Sequence, residues 1–552
     1  MLPQASAGAG RDTCGRSQSH VTEPSIDPSN LAPRPHPGTE LPDTEPAPRS
    51  TQSYPEIAGV KNELMMRPNL NDLPTEILCN IFDTVIHNAT PDTIRDLAVD
   101  KVILAFYFRL GCLISVCSHW RGICLSTASF WSLIPILRNW KGAKTPMDVC
   151  LERAGDSELH LVGEVQLLDS RIIKLVAQHG SRIRTLDISG ARHDVVRNIV
   201  ASVLVHSASG RLANFSVRDY QTCYRRHRFE LSRNLFSPDS SECALFSRFA
   251  SSLRVLRLCG FSLDWSQVRF SGLVELRLEE IALEDEIMAA NLLFAVASAP
   301  RLCSLQLLKL EVRHSIAHKG QSNQLTSLPV SLWKLQSLFL RDIHKDLLSF
   351  LLRSINPGCY RTFVGFTEPS SFFSRSPNFR SDWDNILQIT ALELKDFNIN
   401  TLMISGNWLS GPDFHDILRA VPTITSLLIR GHLFDKTALR ALIRPPKLTI
   451  NEDNGAFPTI LRLHILDAEF DFTALDELKE VVNSHGVQEM SIGGLLAPRP
   501  SFRGEGMIRF EDPADDLHTN PIRDWLRATV PNFVVARRMA DISESEFWID
   551  TW

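Results

Sequence analysis

The chain has 552 residues, 44% hydrophobic and 22% charged, with a formal net charge of −5 spread over interspersed acids and bases; it can bury more than one core, and it lacks the concentrated positive field that nucleic acid binding requires. Its 11 cysteines lack close pairs such as C-x-x-C, which argues for free thiols in a reducing compartment, cytoplasmic, nuclear or both, and against a zinc site. Met1 to Gly10 offers no apolar signal core, and the apolar run Val102–Phe108 reaches Val116 only across Arg109, short of the about 20 residues of a membrane span, so neither secretion nor a membrane is expected.

Residues 1–68 are crowded with Pro, Ser, Thr and Gly and are expected to stay disordered, with Pro33-x-Pro35-x-Pro37 as either linker or polyproline ligand. A small helical domain is expected over 69–140. Asp72 is placed to cap a first helix, with Pro74 and Glu76 in its opening turn. Ile77, Leu78, Ile81, Phe82 and Val85 recur at three- and four-residue steps as one apolar stripe. A second helical run, Leu110 to Cys124, would put Leu113, Val116, Cys117 and Trp120 on one face beside Arg121, and Trp131 follows a short loop. Residues 141–180 are expected to hold a linker and the first elements of the next domain.

From about residue 181 to 552 the pattern changes to short strands with apolar residues at alternate positions. They are Leu186/Ile188, Phe215/Val217, Leu256/Leu258, Leu276/Leu278, Leu305/Leu307, Leu338/Leu340, Leu392/Leu394, Leu427/Ile429, Leu463/Ile465 and Met490/Ile492. In Ser252-Leu253-Arg254-Val255-Leu256-Arg257-Leu258 the leucines enter one core and Arg257 faces away. Helical stretches such as Glu286–Ser298 and Lys345–Ser354 would back a parallel sheet whose repeats close each other's cores. The predicted fold is therefore α/β: a helical module followed by an irregular leucine-rich-repeat solenoid, a curved parallel sheet backed by helices. Glu505–Asn520 reads as an acidic loop, Pro531–Ala536 as a closing strand and Trp548–Trp552 as a docked end capping the array.

Leu73-Pro74-Thr75-Glu76-Ile77-Leu78-Cys79-Asn80-Ile81-Phe82, Val116-Cys117-Ser118-His119-Trp120-Arg121 and Ser129-Phe130-Trp131 together resemble an F-box of the form common in fungal proteins. The resemblance covers about a tenth of the chain and departs from the family between Phe82 and Leu113, where Asn88–Lys101 must loop out or add helix. It implies docking on a Skp-type adaptor and, through it, a cullin ubiquitin ligase. By the family's pattern the adaptor-facing role falls to Leu73, Pro74, Ile77, Leu78, Ile81, Phe82, Val116, Trp120 and Arg121, some of which would pack the helices together instead. The chain would then be the substrate receptor of such a ligase and no enzyme, or else a repeat scaffold with a degenerate F-box and no role in degradation.

Neither a catalytic constellation nor a cofactor motif is expected. Gly142-Ala143-Lys144-Thr145 lacks the earlier glycine of a phosphate loop, and G-x-S-x-G and H-E-x-x-H do not occur. Glu279-Glu280 and Glu284-Asp285-Glu286 read as solvated caps, and His344 and His464 as surface histidines. What remains is a binding face for a target protein, with Arg257, Arg277, Gln306, Phe339, Glu393 and Arg462 as candidate contacts from exposed strand positions.

Overall fold

The computed structural model describes residues 70–87, 99–137, 146–167, 169–207, 210–219, 233–312, 329–367, 394, 397–446, 457–497, 508–509 and 516–536. The tail before residue 70, Gly142-Ala143-Lys144-Thr145, Glu393 and Trp548–Trp552 lie outside them. The first turn, Leu70–Asp72, is 3-10, and helix α1 spans Thr75–His87. The amide of Leu78 donates to the Pro74 carbonyl at 3.1 Å. Pro74, not Asp72, thus stands at the head of α1, where a missing N–H costs nothing because no helical carbonyl precedes it.

The expected single run Leu110–Cys124 is two helices, α2 (Val99–Val116) and α3 (Ser118–Ser126). Cys117 separates them in extended conformation, and its Sγ accepts from the Trp120 amide at 3.5 Å, capping α3 as a serine would. A 3-10 turn, Ala128–Trp131, leads into the sheet.

That sheet starts earlier than residue 141, within the span expected to be purely helical. Strand β1 (Leu133–Ile136) pairs in parallel with β2 (Leu159–Val165), with α4 (Pro146–Ala154) between them. Then follow α5 (Ser170–His179), β3 (Ile183–Gly190), α6 (His193–His206), β4 (Asn214–Asp219), β5 (Arg233–Asn234), α7 (Ser241–Ala250), β6 (Val255–Cys259), β7 (Phe261–Ser262) and β8 (Glu275–Leu283). Next come α8 (Glu286–Ala297), β9 (Ser304–Val312), β10 (Ser337–Arg341), α9 (Lys345–Ser354), β11 (Arg361–Phe366) and β12 (Ile399–Ser405). The rest are α10 (Gly411–Ala420), β13 (Ser426–Arg430), β14 (Leu433–Phe434), α11 (Lys436–Leu442), β15 (Arg462–Asp471), α12 (Leu475–His485), β16 (Glu489–Ala497), β17 (Ile508–Arg509), α13 (Asp516–Thr529) and β18 (Asn532–Val535). Among the described residues 16 strands form one open sheet, β5 and β7 forming a separate pair. All neighbours in the large sheet are parallel except β16 and β17. Of the strand expected at Leu392/Leu394, Leu392 lies outside the described residues and Leu394 is helical; β11 and β12, not named from the sequence, stand on either side of it. Their alternation had been hidden by glycine and asparagine: Thr-Phe-Val-Gly-Phe and Ile-Asn-Thr-Leu-Met-Ile.

The register explains the leucines. Leu256, Leu276, Leu305 and Leu338 are successive partners, as are Leu258, Leu278, Leu307 and Leu340, and all are at most 1% exposed. Each buried leucine side chain contributes roughly 1.5–3 kcal/mol. Leu340, Val364, Leu402 and Leu427 are also successive partners, so the first leucine of β13 stands level with the second of β10. A shift of two residues keeps every inward side chain inward; a shift of one would have turned the strand over. A further aliphatic position three residues before the first leucine of the pair (Leu253, Leu273, Leu302, Leu335, Ile424, Ile460, Val487) is buried as well. The helical module shares this core: Leu78, Phe82, Leu110, Phe130, Trp131, Ile134 and Leu161 belong to one continuous cluster with the sheet's inward leucines. The Tyr107 hydroxyl donates to the Leu133 carbonyl and lies 3.1 Å from Cys150 Sγ.

Just past the second inward residue the backbone turns left-handed. Gly260, Glu280, Lys309, Asp342, Gly406, Gly431 and Asp467 occupy this place, with φ between 48° and 90°. The amide of Gly260 donates to the Glu279 carbonyl, that of Gly406 to Arg430 and that of Gly431 to Leu466, at 2.7 to 2.9 Å, so the turn carries the ladder onward. In β16, Gly494 (φ 144°) stands opposite Ala468, and a Cβ built on it would lie 2.0 Å from the Ala468 carbonyl oxygen. Gly494→Ala should therefore lower stability by about 3 kcal/mol or more, read as a fall in the urea midpoint of tryptophan fluorescence. An unchanged midpoint would contradict the close approach.

Candidate protein-docking surfaces

Helix α1 is apolar over two adjacent arcs, and the single stripe expected from its sequence splits along them. Leu78, Phe82 and Ile86 are at most 1% exposed and face the core. Ile77, Ile81 and Val85, each one position earlier, are 36 to 45% exposed. Leu78 and Phe82, expected to face the adaptor, are instead buried in the chain's own core; the Phe82 ring packs 4.7 Å from that of Trp120. Pro74 is exposed and Leu73 half-buried, while exposed Leu70, not singled out from the sequence, prolongs the ridge.

From the second half of the motif, Val116 is exposed at the end of α2. Trp120 is half-buried, and its Nε1 donates to Asn71 Oδ1 at 2.8 Å, tying α3 to the turn before α1. Exposed Arg121 donates from Nε to the Ile114 carbonyl at 3.2 Å, bracing the break at Cys117. Trp120 and Arg121 thus shape the module. Trp131 is buried, its Nε1 donating to Cys124 O at 2.9 Å and its ring lying under the Arg153 guanidinium at 4.8 Å. Leu104 and Phe108 also face outward from α2, spaced four residues apart, a pair that the run Val102–Phe108 had concealed.

The second surface is the sheet face opposite the inward leucines. Five of the six target-contact candidates fall within one cross-strand row: Asp187, Ser216, Arg257, Arg277, Gln306, Phe339, Phe363, Thr401, Ser426 and Arg462 are successive partners. Glu393 lies outside the described residues. The row is largely neutralised from within the chain. Arg257 Nε reaches Glu275 at 2.7 Å, and Arg277, only 3% exposed along its side chain, reaches Glu279 at 2.9 Å, so Arg277 is not available as a free contact. Lys309 pairs with Glu280 at 3.2 Å and Arg341 lies 3.9 Å from Glu279. Glu279 and Glu280 are accordingly pairing groups within the sheet, not solvated caps, whereas Asp285 does cap α8 by accepting from the Met288 amide.

Burial pushes the Asp187 and Asp342 carboxyls upward. Asp342 accepts from the amide and hydroxyl of Thr367. Burial alone would depress the Lys309 ammonium, but Glu280's charge and hydrogen bond outweigh it and hold the group above its ordinary value. From β9 onward this face turns apolar: Leu308, Phe363, Met403, Leu428, Leu466 and Ala536 form a second buried cluster, with Phe339 against it and its ring 5.3 Å from Phe363. His464, read as a surface residue, is fully buried beside Leu428, because its place in β15 faces a row already filled by these side chains. His344 is mostly buried, 3.8 Å from Asp346.

Among the described residues no group of three or more His, Cys, Asp or Glu could hold a metal ion, and no helix is long and apolar enough to cross a membrane. No family model and no curated protein matches the chain.

Leu78→Ala and Phe82→Ala should each cost about 2–5 kcal/mol, whereas Ile81→Ala should stay within about 1 kcal/mol, all read from urea midpoints. Equal losses at the three positions would mean that the ridge is interior. Burial depresses the His464 imidazole to about 4, with Arg462 adding to the effect. The folded chain then binds fewer protons than the unfolded one between that value and about 6.5, so stability is full above pH 6.5 and is lost as pH falls toward 4, by about 3 kcal/mol for this group. Urea midpoints at pH 7.5 and 4.5 should differ less in His464→Gln than in the parent; the same difference in both would remove His464 as the cause.

Proposed function

We infer that the chain is the substrate-recognition subunit of a cullin-type ubiquitin ligase: its helical module docks on a Skp-type adaptor and its sheet domain holds the target protein. The observation that carries this is the exposed apolar ridge of Leu70, Pro74, Ile77, Ile81, Val85 and Val116 beside a filled core. Evenly spaced aliphatic side chains left in water on a helix whose other apolar arc is already packed are the usual anchor of a protein interface. Conversion of target to product would occur on other subunits, and this chain would supply proximity.

The helices' shared core with β1 and β2 also supports a second reading, a scaffold that uses the F-box-like segment as an end cap and takes no part in degradation. Co-purification separates the two. The unaltered chain should retain a Skp-type adaptor, Ile77→Asp with Ile81→Asp should reduce retention at least tenfold at unchanged stability, and Leu73→Ala with Pro74→Ala should weaken it. An adaptor that ignores the unaltered chain would leave only the scaffold.

A further inference from the structure

The cations paired across the sheet face contrast with those on the loops that feed the strands. Arg211 precedes β4, Arg254 precedes β6, Arg301 precedes β9 and Lys334 precedes β10. All four are exposed, and among the described residues none meets an acidic group. The segments carrying them, residues 210–213, 251–254, 299–303 and 331–336, contain no Asp or Glu, nor does 271–274 before β8.

Backbone bonds hold these loops in a row. The amide of Arg254 donates to Ala213 O, Val274 to Arg254 O, Cys303 to Val274 O and Gln336 to Cys303 O, at 2.7 to 2.8 Å. Arg211, Arg301 and Lys334 each lie two residues before a member of that ladder. At about 4.8 Å per strand the row from β4 to β10 extends roughly 19 Å, the length of about six residues of extended chain. At its far end stands Trp333, 90% exposed and the barest large apolar side chain on the described surface.

We propose that this strand-entry edge is a docking site for an extended acidic segment of a partner protein, with Trp333 receiving an apolar side chain at one end. Exposed cations on neighbouring strand-entry loops that meet no acidic group among the described residues gain from a ligand that supplies carboxylates, while Arg257 and Arg277 would first have to give up their own. The net charge of −5 and the small number of cations in the row disfavour a long polyanion. The proposal rests on the reading of the sheet domain as a recognition module and does not involve the adaptor.

The test is fluorescence anisotropy of a labelled twelve-residue peptide of alternating Glu and Ser with one central Leu, titrated with the full chain at low salt and again at high salt. Binding should weaken at least tenfold in Arg254→Gln/Arg301→Gln/Lys334→Gln, severalfold in Trp333→Ala, and by less than twofold in Arg257→Gln. No binding to the parent chain, or equal binding to parent and triple variant, overturns the proposal. So does single-stranded DNA of matched length binding as tightly as the peptide. Adaptor co-purification by the triple variant should be unchanged, so failure here is distinguishable from failure of the ligase reading.

Discussion

Every strand of the large sheet must bring its apolar side chains to the same level as its neighbours' while its backbone stays fully bonded, and this in-register stacking is the constraint on which the remaining structure depends. Leucine two residues after leucine satisfies the first half, since alternate side chains share a face. The left-handed residue just beyond satisfies the second by turning the chain while its amide remains in the ladder. Glycine serves there at Gly260, Gly406 and Gly431, whereas Glu280, Lys309, Asp342 and Asp467 adopt a conformation that costs a side chain about 1–2 kcal/mol. The last four are not random: Glu280 and Lys309 pair with each other, Asp342 receives Thr367, and Asp467 receives Arg430 at 2.7 Å. Polar contacts offset the strain at the same places that bear it.

The two faces of the sheet consequently differ in kind. The inward face merges with the helices into one core, so deletion of any large inward side chain is felt locally and strongly. The outward face is charged and internally paired around β6 to β10 and apolar toward the later strands. Where charges are paired they hold strands to each other, whereas the exposed cations of the strand-entry edge meet no acidic group among the described residues. The helical module follows the same logic, with one arc of α1 packed on the core and the adjacent arc exposed.

The sequence named nine of the strand cores at their correct residues because leucines spaced by two are visible in one dimension, and it named α8 and α9 for their boundaries. It did not name β1, β11 or β12, and for β2 it expected only first elements of the next domain within 141–180; the alternate positions of these strands carry Pro, Gly, Thr or Asn, and their strand character comes from the neighbours they pair with. In the helical module, local spacing found the apolar positions of α1 but could not separate Ile77, Ile81 and Val85 from Leu78, Phe82 and Ile86, since both sets recur at four-residue steps. The choice of face depends on where α2 and α3 lie.

Periodicity alone determined the class of fold, the direction of most strand side chains and the presence of an apolar helix near the start. Tertiary structure decided which apolar arc stays in water, which arginines are already neutralised and which histidine is buried. The physical reason is that spacing along the chain reports the local geometry of a helix or strand, whereas exposure, ion pairing and desolvation depend on residues far away in sequence that only the stacked strands bring alongside.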